Sequence, residues 1–165
     1  MALMSGCKLP AAATTIRQAT ANDHGDMLEI WLKASRIGHP FLREEVLLEQ
    51  QALLRSVYLP LAESWLVEAG RPIGFMSLLG AYIGGLFVDP DAMRSGVGRQ
   101  LIMQAASLHG KLKVEVYEAN LGARAFYASM GFRIAGRKPK DDAGRSFPLL
   151  KLVRAADSVC AARQA

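Results

Sequence analysis

The part of this chain best suited to chemistry is a stretch of backbone. Leu86-Phe87-Val88-Asp89-Pro90 reads as a short apolar strand breaking at an Asp-Pro turn, and Asp91 to Arg99 follows as a loop punctuated by Gly96 and Gly98. The loop opens directly into the apolar-periodic segment Gln100 to Leu108. A loop entering a helix points unpaired N–H groups at one spot, where the helix dipole adds partial positive charge. The chemistry on offer is anion binding. Glycines also serve ordinary turns, so Gly-x-Gly by itself decides little.

Charge and composition narrow the choice. Residues 1–93 carry 7 Lys/Arg against 10 Asp/Glu, residues 94–154 carry 12 against 4, and residues 155–165 carry one of each. Positive charge therefore begins where the glycine loop begins, a field that attracts a phosphorylated ligand or nucleic acid, or simply a solvated basic surface. Nucleic acid is disfavoured, because the basic residues are not interleaved with a stacking set of aromatics and no helix-turn-helix motif occurs. A chain of 165 residues, 51% hydrophobic and 21% charged, has ordinary globular composition. No apolar run reaches the roughly 18 residues a membrane span needs. Cys7 and Cys160 fall in the expected tails and form neither a metal-ligand cluster nor a disulfide framework, so no metal is expected and a reducing, cytoplasmic setting is the default.

The elements that position the loop follow from periodicity. Thr14 to Ala19 is β-prone, and Asn22 or Asp23 caps a helix with apolar positions Met27, Ile30, Trp31, Ala34 and Ile37, ended by Gly38. After Gly38-His39-Pro40-Phe41-Leu42, Arg43 to Arg55 reads as a second amphipathic helix. Trp65–Ala69, Ile73–Leu79 and Ala81–Val88 form an antiparallel meander, and Gly84-Gly85 in the third strand marks a bulge or a close backbone approach by a ligand. A helix from about Gly96 stops at Gly110, and Lys111–Tyr117 alternates as a strand. Asn120 caps a helix closed by Gly131, and Phe132–Lys138 and Phe147–Arg154 pair around the loop Pro139–Ser146. The expected organisation is a loose extension over 1–13, one domain over 14–154 and a tail over 155–165. Monomer and homodimer are both open.

This order of elements resembles the GCN5-related N-acetyltransferase (GNAT) fold: an α+β architecture with a mixed, mostly antiparallel twisted sheet of about seven strands flanked by four helices. Leu86 to Arg99 is similar to that family's acetyl-CoA pyrophosphate loop, and Asn120-x-x-Ala123-x-x-Phe126-Tyr127-x-x-x-Gly131-Phe132 to its second cofactor-side motif. Gly38 to Leu42 and Asp141-Asp142-x-Gly144-x-x-Phe147-Pro148 resemble the small bacterial YjaB-type subfamily. The loop departs from the family at Met93, where Arg or Gln is favoured, and at Arg94, where Gly is common.

The resemblance implies an acetyl-CoA-dependent N-acetyltransferase acting by direct attack of a primary amine on the thioester, with CoA as product. The acceptor is a small amine or a protein or peptide lysine. It implies cofactor contacts from Leu86, Phe87, Val88, Arg94, Ser95, Gly96, Val97, Gly98, Arg99, Asn120, Ala123, Phe126 and Tyr127. Tyr127 matches the family tyrosine that faces the CoA sulfur. A phenol near pKa 10 giving its proton wholly to a thiolate near 8.5 is uphill by roughly 2 kcal/mol, so the tyrosine is expected to act first as a hydrogen-bond donor. A lysine amine is deprotonated only about once in 2,500 at pH 7, so a base is required. His39, in the loop bordering the acceptor side in the family, is the first candidate, with Glu115 or Glu118 acting through water as rivals. Each also has a structural reading: Asn120 as a cap, Phe126-Tyr127 as helix core, and His39 as a loop residue. Trp31, Phe41 and Tyr82 are candidates for an acceptor pocket or for core. A CoA-binding sensor with weak catalysis is the alternative function. A dinucleotide fold is disfavoured, because the glycine loop follows an antiparallel meander.

Overall fold

A computed structural model of the chain describes residues 13–157. Most of the N-terminal extension, the end of the tail, Cys7 and Cys160 lie outside the described residues. Seven strands, β1 (Thr15–Gln18), β2 (Glu63–Glu68), β3 (Pro72–Leu79), β4 (Tyr82–Val88), β5 (Leu112–Tyr117), β6 (Arg133–Lys138) and β7 (Leu149–Arg154), form one sheet in the order β1-β2-β3-β4-β5-β7-β6. All neighbours are antiparallel except β4 and β5. The mixed, mostly antiparallel seven-stranded sheet expected from the sequence is the one found.

Alternation splits the sheet into two faces, each covered by helices. On one face α4 (Val97–His109) and α5 (Leu121–Ser129) bury Val97, Leu101, Ile102, Ala105 and Tyr127 against Met76, Leu78, Ile83, Leu112 and Val114. On the other, α1 (His24–Gly38) and α2 (Glu44–Leu53) bury Met27, Leu28, Ile30, Trp31 and Leu47 against Leu66 and Phe75. Each such side chain contributes roughly 1.5–3 kcal/mol by leaving water. Where polar groups enter this second core they are matched: Ser64 Oγ and Ser77 Oγ, on adjacent strands, lie 2.8 Å apart. At the sheet edge Arg17 bridges Asp23 at 2.8 Å and Glu68 at 2.7 Å, pinning β1 to the entry of α1.

Two expectations need correction. The second helix does not stop near Arg55. It passes through a π-helical turn, Leu54–Tyr58, into a short last turn, α3 (Leu59–Leu61), which carries Pro60. The wider π turn shifts the phase of the helical face, so Leu53 is half exposed whereas Leu59 is buried. Ile37, a nominal core position of α1, is also exposed, in the last turn of that helix before Gly38.

Candidate active site

The site begins where the sheet fails to close. β4 and β5 pair only through Tyr82↔Lys113 and Ile83↔Val114. Beyond that point β4 continues along β3 to Gly74↔Val88 and β5 continues along β7 to Tyr117↔Leu149, so the two strands splay apart. Among the described residues, the parallel-facing backbone of β4 from Gly84 onward has no strand partner. A bulge falls at the same place: Ser77 pairs with Gly85 and Leu78 with Ile83, leaving Gly84 as the extra residue. Gly85 has a separate role, since a Cβ there would lie 2.5 Å from the Phe87 ring. Leu86 and Val88 pack toward the α4 face, while Phe87 turns to the other and meets Phe75 and Trp31 with ring centroids 5.5 and 6.1 Å apart.

The loop leaving β4 is anchored before it turns. Asp89, 1% exposed, accepts the Asp91 N–H at 3.0 Å and the Arg71 guanidinium at 3.1 Å. Burial works against its charge, but those donors outweigh it and hold its carboxyl below the usual range. Arg94 then adopts φ 60° and Gly96 φ 86°, two left-handed residues that bring the chain round into α4. The glycine takes that conformation freely; Arg94 does so at a steric cost. Among the described residues no side chain caps α4. Its first intrahelical bond runs from the Gln100 N–H to Gly96 O at 3.0 Å, so the N–H groups of Val97, Gly98 and Arg99 precede the ladder and face outward with the positive end of the helix dipole. Arg94, Ser95, Gly96 and Arg99 are exposed around them. Val97 is seated by Gly74 of β3, where a Cβ would come within 2.5 Å of Val97 Cγ1.

The second motif packs onto this loop. Asn120 Oδ1 accepts the Ala123 N–H at 3.1 Å and caps α5, and its amide lies against Gly38 at the end of α1. Phe126 covers Gly98 so closely that a Cβ there would lie 2.9 Å from the ring, and Ala123 packs against the same core. Tyr127 is 4% exposed between Phe126 and Phe132, with ring centroids 5.1 Å away on each side. Burial pushes its hydroxyl well above the ordinary phenol range, so it holds its proton as a donor.

The opposite face carries the candidate bases. His39 packs against Tyr117 and Phe41 at 5.0 and 5.7 Å, with Phe147 closing the aromatic group. Its Nδ1 is buried without a partner among the described residues, and burial brings the imidazole down to about 4. It is therefore neutral at pH 7 but a weak base. Glu115 is the first β5 residue past the last rung shared with β4 and, by alternation with Val114 and Val116, projects to the face of α1 and α2. Its Oε2 accepts the Lys138 ammonium at 3.0 Å. Glu118 instead lies beyond β5, paired with Arg137 at 2.9 Å. Trp31 is buried core, whereas Phe41 and Tyr82 are half buried.

Sequence reasoning passed over Tyr117, whose hydroxyl accepts from Gln50 Nε2 at 3.1 Å and donates to Asp141 Oδ2 at 3.0 Å. Asp141 Oδ1 in turn accepts the N–H groups of Ala143 and Arg145, and Arg145 reaches Glu49 at 3.2 Å. This chain of bonds straps α2 to the β6–β7 loop across the end of β5. The Asp141-Asp142-x-Gly144 turn was the available signal. The basic half is also less bare than its charge suggests, since Arg137, Lys138, Arg145 and Arg154 all form ion pairs.

Known proteins share this arrangement. An Acetyltransferase (GNAT) domain model matches residues 60–134. The peptidyl-lysine N-acetyltransferase YjaB of Escherichia coli K12 is 38% identical over 140 residues, covering 84% of this chain and 95% of that protein. The peptidyl-lysine N-acetyltransferase YiaC of the same organism is 36% identical over 121 residues, covering 72% and 83%. The solution structure of apo YjaB from Escherichia coli superposes with a TM-score of 0.81 at 35% identity, covering 88% of this chain and 99% of that one. With its splayed β4–β5 joint, its uncapped loop-to-helix turn and this likeness over most of its length, the chain belongs to the GNAT family and is an acetyl-CoA-dependent N-acetyltransferase.

Proposed function

We propose that this protein acetylates the side-chain amine of lysine in a peptide or protein, in the cytoplasm. The observation that carries the proposal is the gap between β4 and β5, which has an uncapped helix N-terminus at one end and carboxylates on its far face. The naming of two relatives as peptidyl-lysine acetyltransferases supports the acceptor class.

The residues fit the cofactor. The free N–H groups of Val97, Gly98 and Arg99, with Ser95 and Gly96 before them, suit a pyrophosphate, and Arg94 and Arg99 add charge beside it. The unpartnered backbone of β4 at Leu86, Phe87 and Val88 suits an extended amide-bearing arm. Asn120, Ala123 and Phe126 hold the first turn of α5 against that loop. Bound acetyl-CoA supplies the activated acetyl group and a thiolate leaving group.

Tyr127, buried and protonated, donates a hydrogen bond to the departing sulfur. Among the candidate bases Glu115 is the better supported, because it lies at the first open position of β5 and takes the amine proton through a water. His39 shapes the acceptor side by packing on Tyr117 and Phe41. Sulfur leaves as the nitrogen attacks, and no covalent enzyme intermediate is needed.

The test is turnover of acetyl-CoA with a lysyl peptide, a peptide whose only amine is its N-terminus, and a small diamine, read by thiol release and mass spectrometry. The expected product is the Nε-acetyl peptide. Tight acetyl-CoA binding with no acetylated product from any of the three would overturn the reading in favour of a sensor.

A further inference from the structure

Lys138 reaches across a neighbouring strand to a carboxylate of β5. It is the last residue of the edge strand β6, paired with Leu149 of β7, yet its ammonium reaches over β7 to Glu115 Oε2 at 3.0 Å and also meets Asp142 Oδ1 at 2.7 Å. Its side chain is 31% exposed and that of Glu115 18%. Tyr82 lies beside them: burial first, then the carboxylates of Glu115 and Asp142, push its phenol up to about 12. These groups converge where the shared ladder of β4 and β5 ends, on the face reserved above for the acceptor. Two carboxylates alone would say little. What points to a ligand is that an ammonium on a four-carbon stem is already seated between them, carried in from a strand that takes no part in the gap.

We propose that Lys138 is an internal occupant of the acceptor's ammonium subsite, formed by Glu115 and Asp142, and that a substrate lysine must displace it to reach the thioester. The inference rests on the lysine-acetylating reading above. Both carboxylates hold the Lys138 proton in place, Asp142 more strongly than Glu115, so the seated lysine is an ammonium and not a nucleophile. It therefore competes for the subsite without consuming acetyl-CoA. Once it swings out, the subsite carries two negative charges, which favours acceptors that arrive as cations over neutral amines of the same shape. Asp142 sits on the β6–β7 loop that Asp141 straps to Tyr117, so the subsite is held at a fixed distance from β5. Lys138 is a competing residue; Glu115 first pairs with the acceptor's ammonium and then takes its proton through the water.

The experiment compares wild type, Lys138→Met and Lys138→Arg on two acceptors of one peptide sequence, one with lysine and one with an aminooxy side chain that is neutral at pH 7. Lys138→Met should lower KM for the lysyl peptide roughly threefold to fivefold and lower KM for the neutral acceptor by less. Lys138→Arg, which keeps a cation at the subsite, should behave as wild type. A Lys138→Met enzyme whose KM changes equally for both acceptors, or rises for the lysyl peptide, overturns the proposal and leaves the triad a structural tie. Thermal unfolding of each variant separates loss of fold from loss of competition. If wild type turns over neither peptide, the acetyltransfer reading has failed. The competition is then read by calorimetric binding of the lysyl peptide to CoA-loaded protein, where the same ordering of variants is expected and equal affinities refute it.

Discussion

Acidification should destabilise this protein through His39 well before its carboxylates titrate. The ring is packed against Tyr117 and Phe41, its Nδ1 is buried without a partner, and burial brings its pKa from 6.5 to about 4. Between those two values the unfolded chain holds a proton on this imidazole that the folded chain lacks, so stability is full above pH 6.5 and falls as pH falls toward 4. The slope is about 1.4 kcal/mol per pH unit, and the whole window amounts to about 3 kcal/mol. At pH 5 the loss is about 2 kcal/mol, or roughly 4–8 °C in Tm for a domain of this size. The assay is thermal and urea unfolding from pH 7.5 to 4.5, run beside His39→Phe, which keeps the aromatic packing and removes the titrating group. The variant should show a flattened profile over this window and wild-type stability or better at pH 7.5, because it relieves an unpaired buried nitrogen. Below pH 4 the paired carboxylates of Asp23 and Asp89, both held below their usual range, take over with the same sign. Identical slopes in the two proteins, or an NMR titration of the His39 ring centred at 6.5 or above, would refute the reasoning and return His39 to contention as the base.

Tyr127→Phe should lower kcat by roughly a hundredfold while leaving Tm almost unchanged, since the hydroxyl makes no hydrogen bond among the described residues; steady-state kinetics and a melt decide it. Arg94→Gly relieves a left-handed residue at φ 60° and should raise apo stability by about 1 kcal/mol, while KM for acetyl-CoA rises and becomes less salt-sensitive. A lower melting temperature would contradict the first half of that expectation. Gly98→Ala places a Cβ 2.9 Å from Phe126 and should weaken acetyl-CoA binding, measured by calorimetry, roughly tenfold; an unchanged Kd would show that the α4–α5 contact does not shape the loop.

What was legible in the sequence was what one segment determines by itself. The alternation of Leu112, Val114 and Val116 marked β5, Gly96 and Gly110 bounded α4, and Asn120 announced its own cap, because period, turn and cap are local. Helix ends were misread where the signal was a backbone change without a sequence marker, as in the π turn after Leu53. Within the site, the loop could be found because its donors are consecutive N–H groups. The tertiary ties could not be found in this way. Lys138 looked like one more basic residue until β7 placed it across from Glu115, and Gly74 carried no sign that Val97 would need its missing Cβ. His39 was recognised by residue type, but its proton affinity depends on Tyr117 and Phe41, the first of them far away in sequence, and no spacing encodes that burial.

Among the described residues, two paired rungs and the bond from the Lys113 N–H to Ala81 O tie β4 to β5. α4 packs across this seam, resting on β2, β3, β4 and β5 together. The helix that presents the anion-binding loop is thus also the brace over the weakest line in the hydrogen-bond network. A ligand gripping the loop and lying in the gap would supply cross-links that the backbone lacks. Cofactor binding should therefore add to the cohesion of the sheet across this seam as well as fill the site.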